Sequence, residues 1–103
     1  MKQVAVILSG CGFLDGAEIT EAISTLVAIG QNGAEYKVFA PDKDVPETNH
    51  LTQKPTGQTR NVMQEAARIA RGDIEPLEKL KAQDFHALAF PGGFGAALHR
   101  WNF

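Results

Sequence analysis

Two short runs in this chain are apolar on both faces, KQVAVIL at 2 to 8 and HALAF at 86 to 90, and each stops at a glycine-rich segment. A strand with no polar face must be covered on both sides, which is the condition inside a parallel sheet. The glycine segments, SGCGFLDG at 9 to 16 and PGGFG at 91 to 95, then fall at the carboxyl ends of those strands. Open α/β sheets collect their ligands at those ends.

The stretch between the two runs fits the same scheme. From Ala17 to Ile29 the apolar positions Ile19, Ala22, Ile23, Leu26, Val27 and Ile29 recur at helical spacing, with Asp15 or Gly16 as candidate caps. Gly30, Asn32 and Gly33 stop that helix, and EYKVFAP at 35 to 41 reads as a second strand closed by Pro41. Residues 42 to 58 carry little period. An irregular connection of that length inside a small domain is either functional or hides a hairpin, and Thr48 to Thr52 is the candidate for one arm. Thr59 or Asn61 opens a further helix through Arg71, stopped by Gly72, and EPLEKLKA reads as a shorter helix with Pro76 in its first turn. The outcome is an alternating α/β chain with a parallel sheet in the order second, first, third strand.

Charge and cysteine usage narrow the partners. Ten Lys and Arg against twelve Asp and Glu leave a formal charge of −2, so no cation surplus exists for nucleic acid or an anionic membrane. The single cysteine, Cys11, excludes an internal disulfide and a multi-thiolate zinc site, and it suits a reducing compartment, by default the cytosol. The amino-terminal apolar run has only five members, Val4 to Leu8, too few for export or insertion, and the 103 residues are expected to form one domain.

Four groups could carry chemistry. Gly10, Cys11, Gly12 and Gly16 follow a strand and precede a helix, where backbone N–H groups can hold an anion. A dinucleotide fingerprint would need glycine where Asp15 stands, although Asp42 lies about where a ribose-binding acid would; a plain strand-to-helix turn needs the same glycines. Cys11 near a helix start is placed to be a nucleophile or redox sensor, or to be a small residue in a tight loop. Glu21, preceded by Glu18, could move protons or be a solvated helix carboxylate. The turn at Pro91, Gly92 and Gly93 could present amides to an oxyanion or simply reverse the chain. His50, His86 and His99 show no metal-ligand spacing, and no metal site is expected.

Taken together, VAVILSGCGFLDGAEITEA, FAPDK, NHLT, TRNV, EAARIARG and FPGGFGAA resemble the amino-terminal part of the ThiJ/PfpI superfamily, within it the ElbB group of isoprenoid-biosynthesis glyoxalases. The resemblance implies a flavodoxin-like α/β sandwich related to class I glutamine amidotransferase domains. It also implies a homo-oligomer, usually a dimer, that converts small aldehydes such as glyoxal to hydroxy acids without a cofactor. It assigns catalytic roles to Glu21 and Gly93, with Gly10, Cys11, Gly12 and Gly92 lining the substrate pocket. The family's elbow cysteine has no counterpart within these residues, and Cys11 belongs to a different motif. Two readings stay open: a glyoxalase-type enzyme, and a non-catalytic half-domain that associates through an open sheet edge.

Overall fold

In the computed structural model, which describes residues 2–93, the chain runs β1 (Gln3–Ile7), α1 (Ile19–Gln31), β2 (Glu35–Ala40), β3 (Asp44–Asn49), β4 (Lys54–Asn61), α2 (Val62–Ala70), β5 (Ile74–Pro76) and β6 (Ala87–Ala89). Four strands form a parallel sheet in the order β5-β2-β1-β6, while β3 and β4 pair antiparallel as a separate hairpin. The expected order of second, first and third strand is therefore present as β2-β1-β6, and the short β5 extends it beyond β2.

The central position of β1 explains its composition. Ala5 and Ile7 point to one face with Phe39, while Val6 and Leu8 point to the other with Val38 and Ala40, and all are buried. Burying a Val, Leu, Ile or Phe side chain contributes about 1.5–3 kcal/mol each, so the sheet interior is the main source of stability. The crossovers through α1 and α2 step in the same direction along the sheet, which puts both helices on one face, where Ala22 of α1 and Val62 and Ala66 of α2 pack with Val6, Leu8, Val38 and Ala40. The opposite face is covered by Leu77, Leu80 and Phe85, and the Phe85 ring meets Phe39 edge-on at 5.7 Å between centroids.

Three local expectations change. α1 begins at Ile19 with Glu18 as its cap, not Asp15 or Gly16, and the Glu18 carboxylate accepts from the amides of Thr20 and Glu21. The cause is that residues 12 to 18 fold back on themselves: Gly12 N–H donates to Ala17 O at 3.0 Å, and Ala17 is spent as a fully buried loop residue. EPLEKLKA does not form a helix. Pro76 ends β5 at the sheet edge, where a missing N–H is tolerated, and two separate 3₁₀ turns follow at Leu77–Lys79 and Ala82–Asp84. Packing Leu77 and Leu80 onto the sheet overrides the local helical spacing.

Residues 42 to 58 do contain a hairpin. Thr48 and Asn49 end its first arm, but Leu51 and Thr52 lie in the turn, where the Asn49 carboxamide oxygen accepts from both of their amides. For α2 the cap is Asn61, which accepts from Gln64 N–H at 2.8 Å, and Thr59 belongs to β4. Arg71 adopts the left-handed conformation at the helix end, with Gly72 beside it. The helix start expected after the PGG turn, and His99 in the tail, lie outside the described residues.

Candidate functional site

The carboxyl end of β1 carries two clusters. The first joins α1 to the PGG turn that follows β6. Glu18 N–H donates to Gly92 O at 2.6 Å, which ties the start of α1 to the turn. One helical turn on, the Glu21 carboxylate lies directly over Gly92: a Cβ placed on Gly92 would stand 2.9 Å from Oε1 and 3.2 Å from Oε2. Gly93 follows at φ +121°, a conformation open to glycine, and a side chain there would meet the Gly16 carbonyl and, at 2.6 Å, the Glu18 nitrogen. Gly16 in turn is pressed onto Cys11, with 2.7 Å between an added Cβ and the Cys11 nitrogen. Glycine at 16, 92 and 93 is thus required by close approach of backbone to backbone and of Glu21 to backbone. The structure brings Glu21, Gly92 and Gly93 together.

The second cluster is a cleft of about 700 Å³ whose walls include Cys11, Phe13, His50, Arg60, Glu65 and Arg68. Cys11 and Gly12 face this cleft, whereas Gly10, at φ +110°, packs against Gly16 behind it. Burial pushes the Cys11 thiol up from its usual value, Glu65 and Asp15 push the same way, and Arg68 and Arg60 oppose them. The thiolate that a helix start was expected to favour is therefore disfavoured, because the thiol is partly buried and the Glu65 and Asp15 carboxylates lie nearby. Arg60 bridges Glu47 at 2.5 Å and Glu65 at 2.7 Å, linking the hairpin to α2.

The parts of a nucleotide cradle are used otherwise. The Gly12 amide is turned to Ala17 O, and a Cβ on Gly12 would stand 2.6 Å from the buried Asp15 carboxylate. Asp42 accepts from the Asn61 carboxamide at 2.9 Å, at the base of the hairpin. His86 closes the start of the sheet, accepting the Gln3 amide at 2.9 Å on Nδ1. His50 and Asp15, by contrast, come together with the first loop. No sequence signal announced that pair, since its members are 35 positions apart and meet only because the hairpin folds back.

A parallel sheet in this order with both helices on one face is an open α/β fold, and its likeness to a solved protein makes it amidotransferase-like. The chain superposes on the crystal structure of an isoprenoid biosynthesis protein with amidotransferase-like domain from Ehrlichia chaffeensis with a TM-score of 0.87, at 38% identity, over 90% of this chain and 45% of that one. It is 50% identical over 105 residues to the human glutamine amidotransferase-like class 1 domain-containing protein 3, mitochondrial, covering 98% of this chain and 38% of the human protein. It is 39% identical to the zebrafish (Danio rerio) ES1 protein, mitochondrial, covering 98% of this chain and 40% of that protein. The chain thus spans less than half the length of these relatives, and no family model matches it. The resemblance to the ElbB-like branch of the ThiJ/PfpI superfamily is borne out. Among the described residues, no helix is long and apolar enough to cross a membrane.

Proposed function

We propose that this chain supplies the proton-moving half of a cofactor-independent, glyoxalase-type site that converts small reactive aldehydes such as glyoxal to hydroxy acids. The observation that carries the reading is the Glu21 carboxylate held over the Gly92–Gly93 turn. In such a reaction a thiolate adds to one carbonyl of glyoxal to give a hemithioacetal. A carboxylate then takes the proton from that carbon and returns it to the neighbouring one, and water releases the hydroxy acid from the resulting thioester. Glyoxal plus water thus becomes glycolic acid with no external oxidant. In this reading Glu21 carries the proton transfer, and the turn amides, Gly93 included, stabilise the oxygen that becomes negative. Cys11 faces the other cleft, where burial pushes its thiol up, so the attacking thiol is not assigned to it. The cytosol remains the proposed compartment, from the single cysteine alone, while the vertebrate relatives carry "mitochondrial" in their names.

The test is glyoxal turnover by the protein in its native assembly, with glycolate read by NMR. Glu21→Gln is expected to lower turnover by about a hundredfold or more, and Cys11→Ser to leave it unchanged. Loss of turnover in Cys11→Ser would return the nucleophile to Cys11 and overturn the assignment.

A second reading is favoured by β6, which among the described residues pairs on one side only and leaves Leu88 half exposed. A non-catalytic half-domain could associate with a second copy along that edge, giving the homo-oligomer that the resemblance implies. Absence of turnover together with a concentration-dependent dimer that Leu88→Lys dissolves would select this reading.

A further inference from the structure

The Asp15–His50 pair has no part in the aldehyde reading, and its geometry is that of a two-position device. Nε2 of His50 accepts from two backbone amides, Phe13 at 3.2 Å and Leu14 at 3.1 Å. A ring nitrogen that accepts carries no proton, so the neutral ring is protonated on Nδ1, which lies 3.0 Å from Thr48 O and donates to it. Asp15 is buried. Its Oδ2 accepts from Thr48 N–H at 2.8 Å, but its Oδ1 has no hydrogen-bond partner and stands 3.7 Å from His50 Nε2.

A buried carboxylate oxygen without a donor is costly and normally finds one. Here the donor is present but in the wrong protonation state. A proton on Nε2 abolishes both amide bonds, since a donor then faces two donors, and creates a charged donor beside the empty acceptor.

The surrounding charges do not oppose that change. From the first loop and the start of α1 come Asp15, Cys11 and Glu18; from β4 comes Arg60, already bonded to Glu47 and Glu65; from α2 come Glu65 and Arg68, which lie 3.5 Å apart. Both cations near the ring are thus compensated by carboxylates.

We propose that His50 is a proton-controlled latch between the β3–β4 hairpin and the loop at residues 12 to 16. Neutral His50 holds the loop through the Phe13 and Leu14 amides; protonated His50 turns to Asp15 Oδ1 and lets them go. The loop it holds includes Gly16, whose carbonyl abuts Gly93, and Phe13, which lines the cleft with Cys11. The latch therefore links acidity to the conformation of both clusters at the end of β1.

The experiment is amide hydrogen exchange in the intact protein, corrected for intrinsic rates, from about pH 8 to about pH 5, the range in which imidazoles change charge. Protection at Phe13 and Leu14 is expected to fall by about tenfold or more, while Ala5 and Val6 in β1 stay protected. His50→Gln places a non-titrating carbonyl oxygen near the Nε2 position and is expected to keep the protection at both ends of the range. Asp15→Asn, which retains an acceptor for Thr48 but removes the charge, is expected to blunt the release. Unchanged protection in the native protein overturns the latch, as does the same fall in His50→Gln. A parallel fall at Ala5 and Val6 would mean that the fold opens rather than the latch, and overturns it too.

Discussion

The two clusters at the carboxyl end of β1 are built on opposite plans. Around Glu21 the contacts are mostly backbone against backbone, with the Glu21 carboxylate itself seated on Gly92, and Gly16, Gly92 and Gly93 allow three segments to touch. Around Cys11 the cleft is walled by long charged side chains, Arg60, Glu65 and Arg68, delivered by the hairpin and α2. The first plan is rigid because a backbone cannot step aside. The second tolerates change because a side chain can rotate, and it is the one whose electrostatics respond to a single substitution.

The sharpest way to break this contrast is to add one methyl group at each cluster. Gly93→Ala meets the Gly16 carbonyl and the Glu18 nitrogen from a φ that alanine avoids. It is expected to cost about 4 kcal/mol or more, or to prevent folding, as read by urea denaturation. Gly12→Ala meets the Asp15 carboxylate and His50 ring instead, which can rotate, so about 1–2 kcal/mol is expected. Equal losses at the two positions would erase the distinction.

Asn61→Ala removes the α2 cap and the link to Asp42 at the base of the hairpin, and is expected to cost about 1 kcal/mol. Its effect on the cleft is a shift of α2, visible as altered Cys11 alkylation. Glu65→Gln acts on the same thiol without moving the helix. It removes a carboxylate that pushes the Cys11 thiol up while leaving Arg60 and Arg68 to pull it down, so alkylation by iodoacetamide near neutral pH should speed up about threefold or more.

The smallest effect belongs to Glu47, held below the ordinary carboxylate range by hydrogen bonds from Arg60 and Thr56. A carboxyl group whose folded value is depressed stabilises above its unfolded value, and that contribution is lost as the pH falls through the folded one. The native protein should therefore be slightly more stable than Glu47→Gln near neutral pH, with the difference starting to shrink as the pH drops through the ordinary carboxylate range and vanishing only below the depressed folded value. Because Glu47 is at the surface, added salt should shrink the difference at every pH.

Much of the sheet was legible in the sequence because its signals are local. VAVIL and HALAF have no polar face, EYKVFA follows a helix stop, and Asn61 with Gly72 brackets α2. The start of α1 was misplaced because Gly12 and Ala17 bond across the loop, a contact between residues that carry no helical signal of their own. EPLEKLKA has helical spacing, but Leu77 and Leu80 are drawn to a sheet face that only the assembled strands create. At the site, the glycine motifs stood out because close approach selects for small residues within short segments, whereas Glu21 was assigned its role only through the family resemblance. Nothing in the sequence marked Arg60, Glu65 or the Asp15–His50 pair.

The sequence by itself determined which segments join a parallel sheet and which glycines mark its carboxyl end, because periodicity and glycine placement act over a few neighbouring residues. It did not determine burial, since HALAF, expected to be covered on both sides, forms a largely exposed strand at the edge of the described sheet. Tertiary structure alone decided that burial pushes the Cys11 thiol up, that β5 joins the sheet, and that His50 reaches Asp15. Burial and charge depend on what lies nearby in space, and the hairpin brings together there residues that the chain keeps far apart.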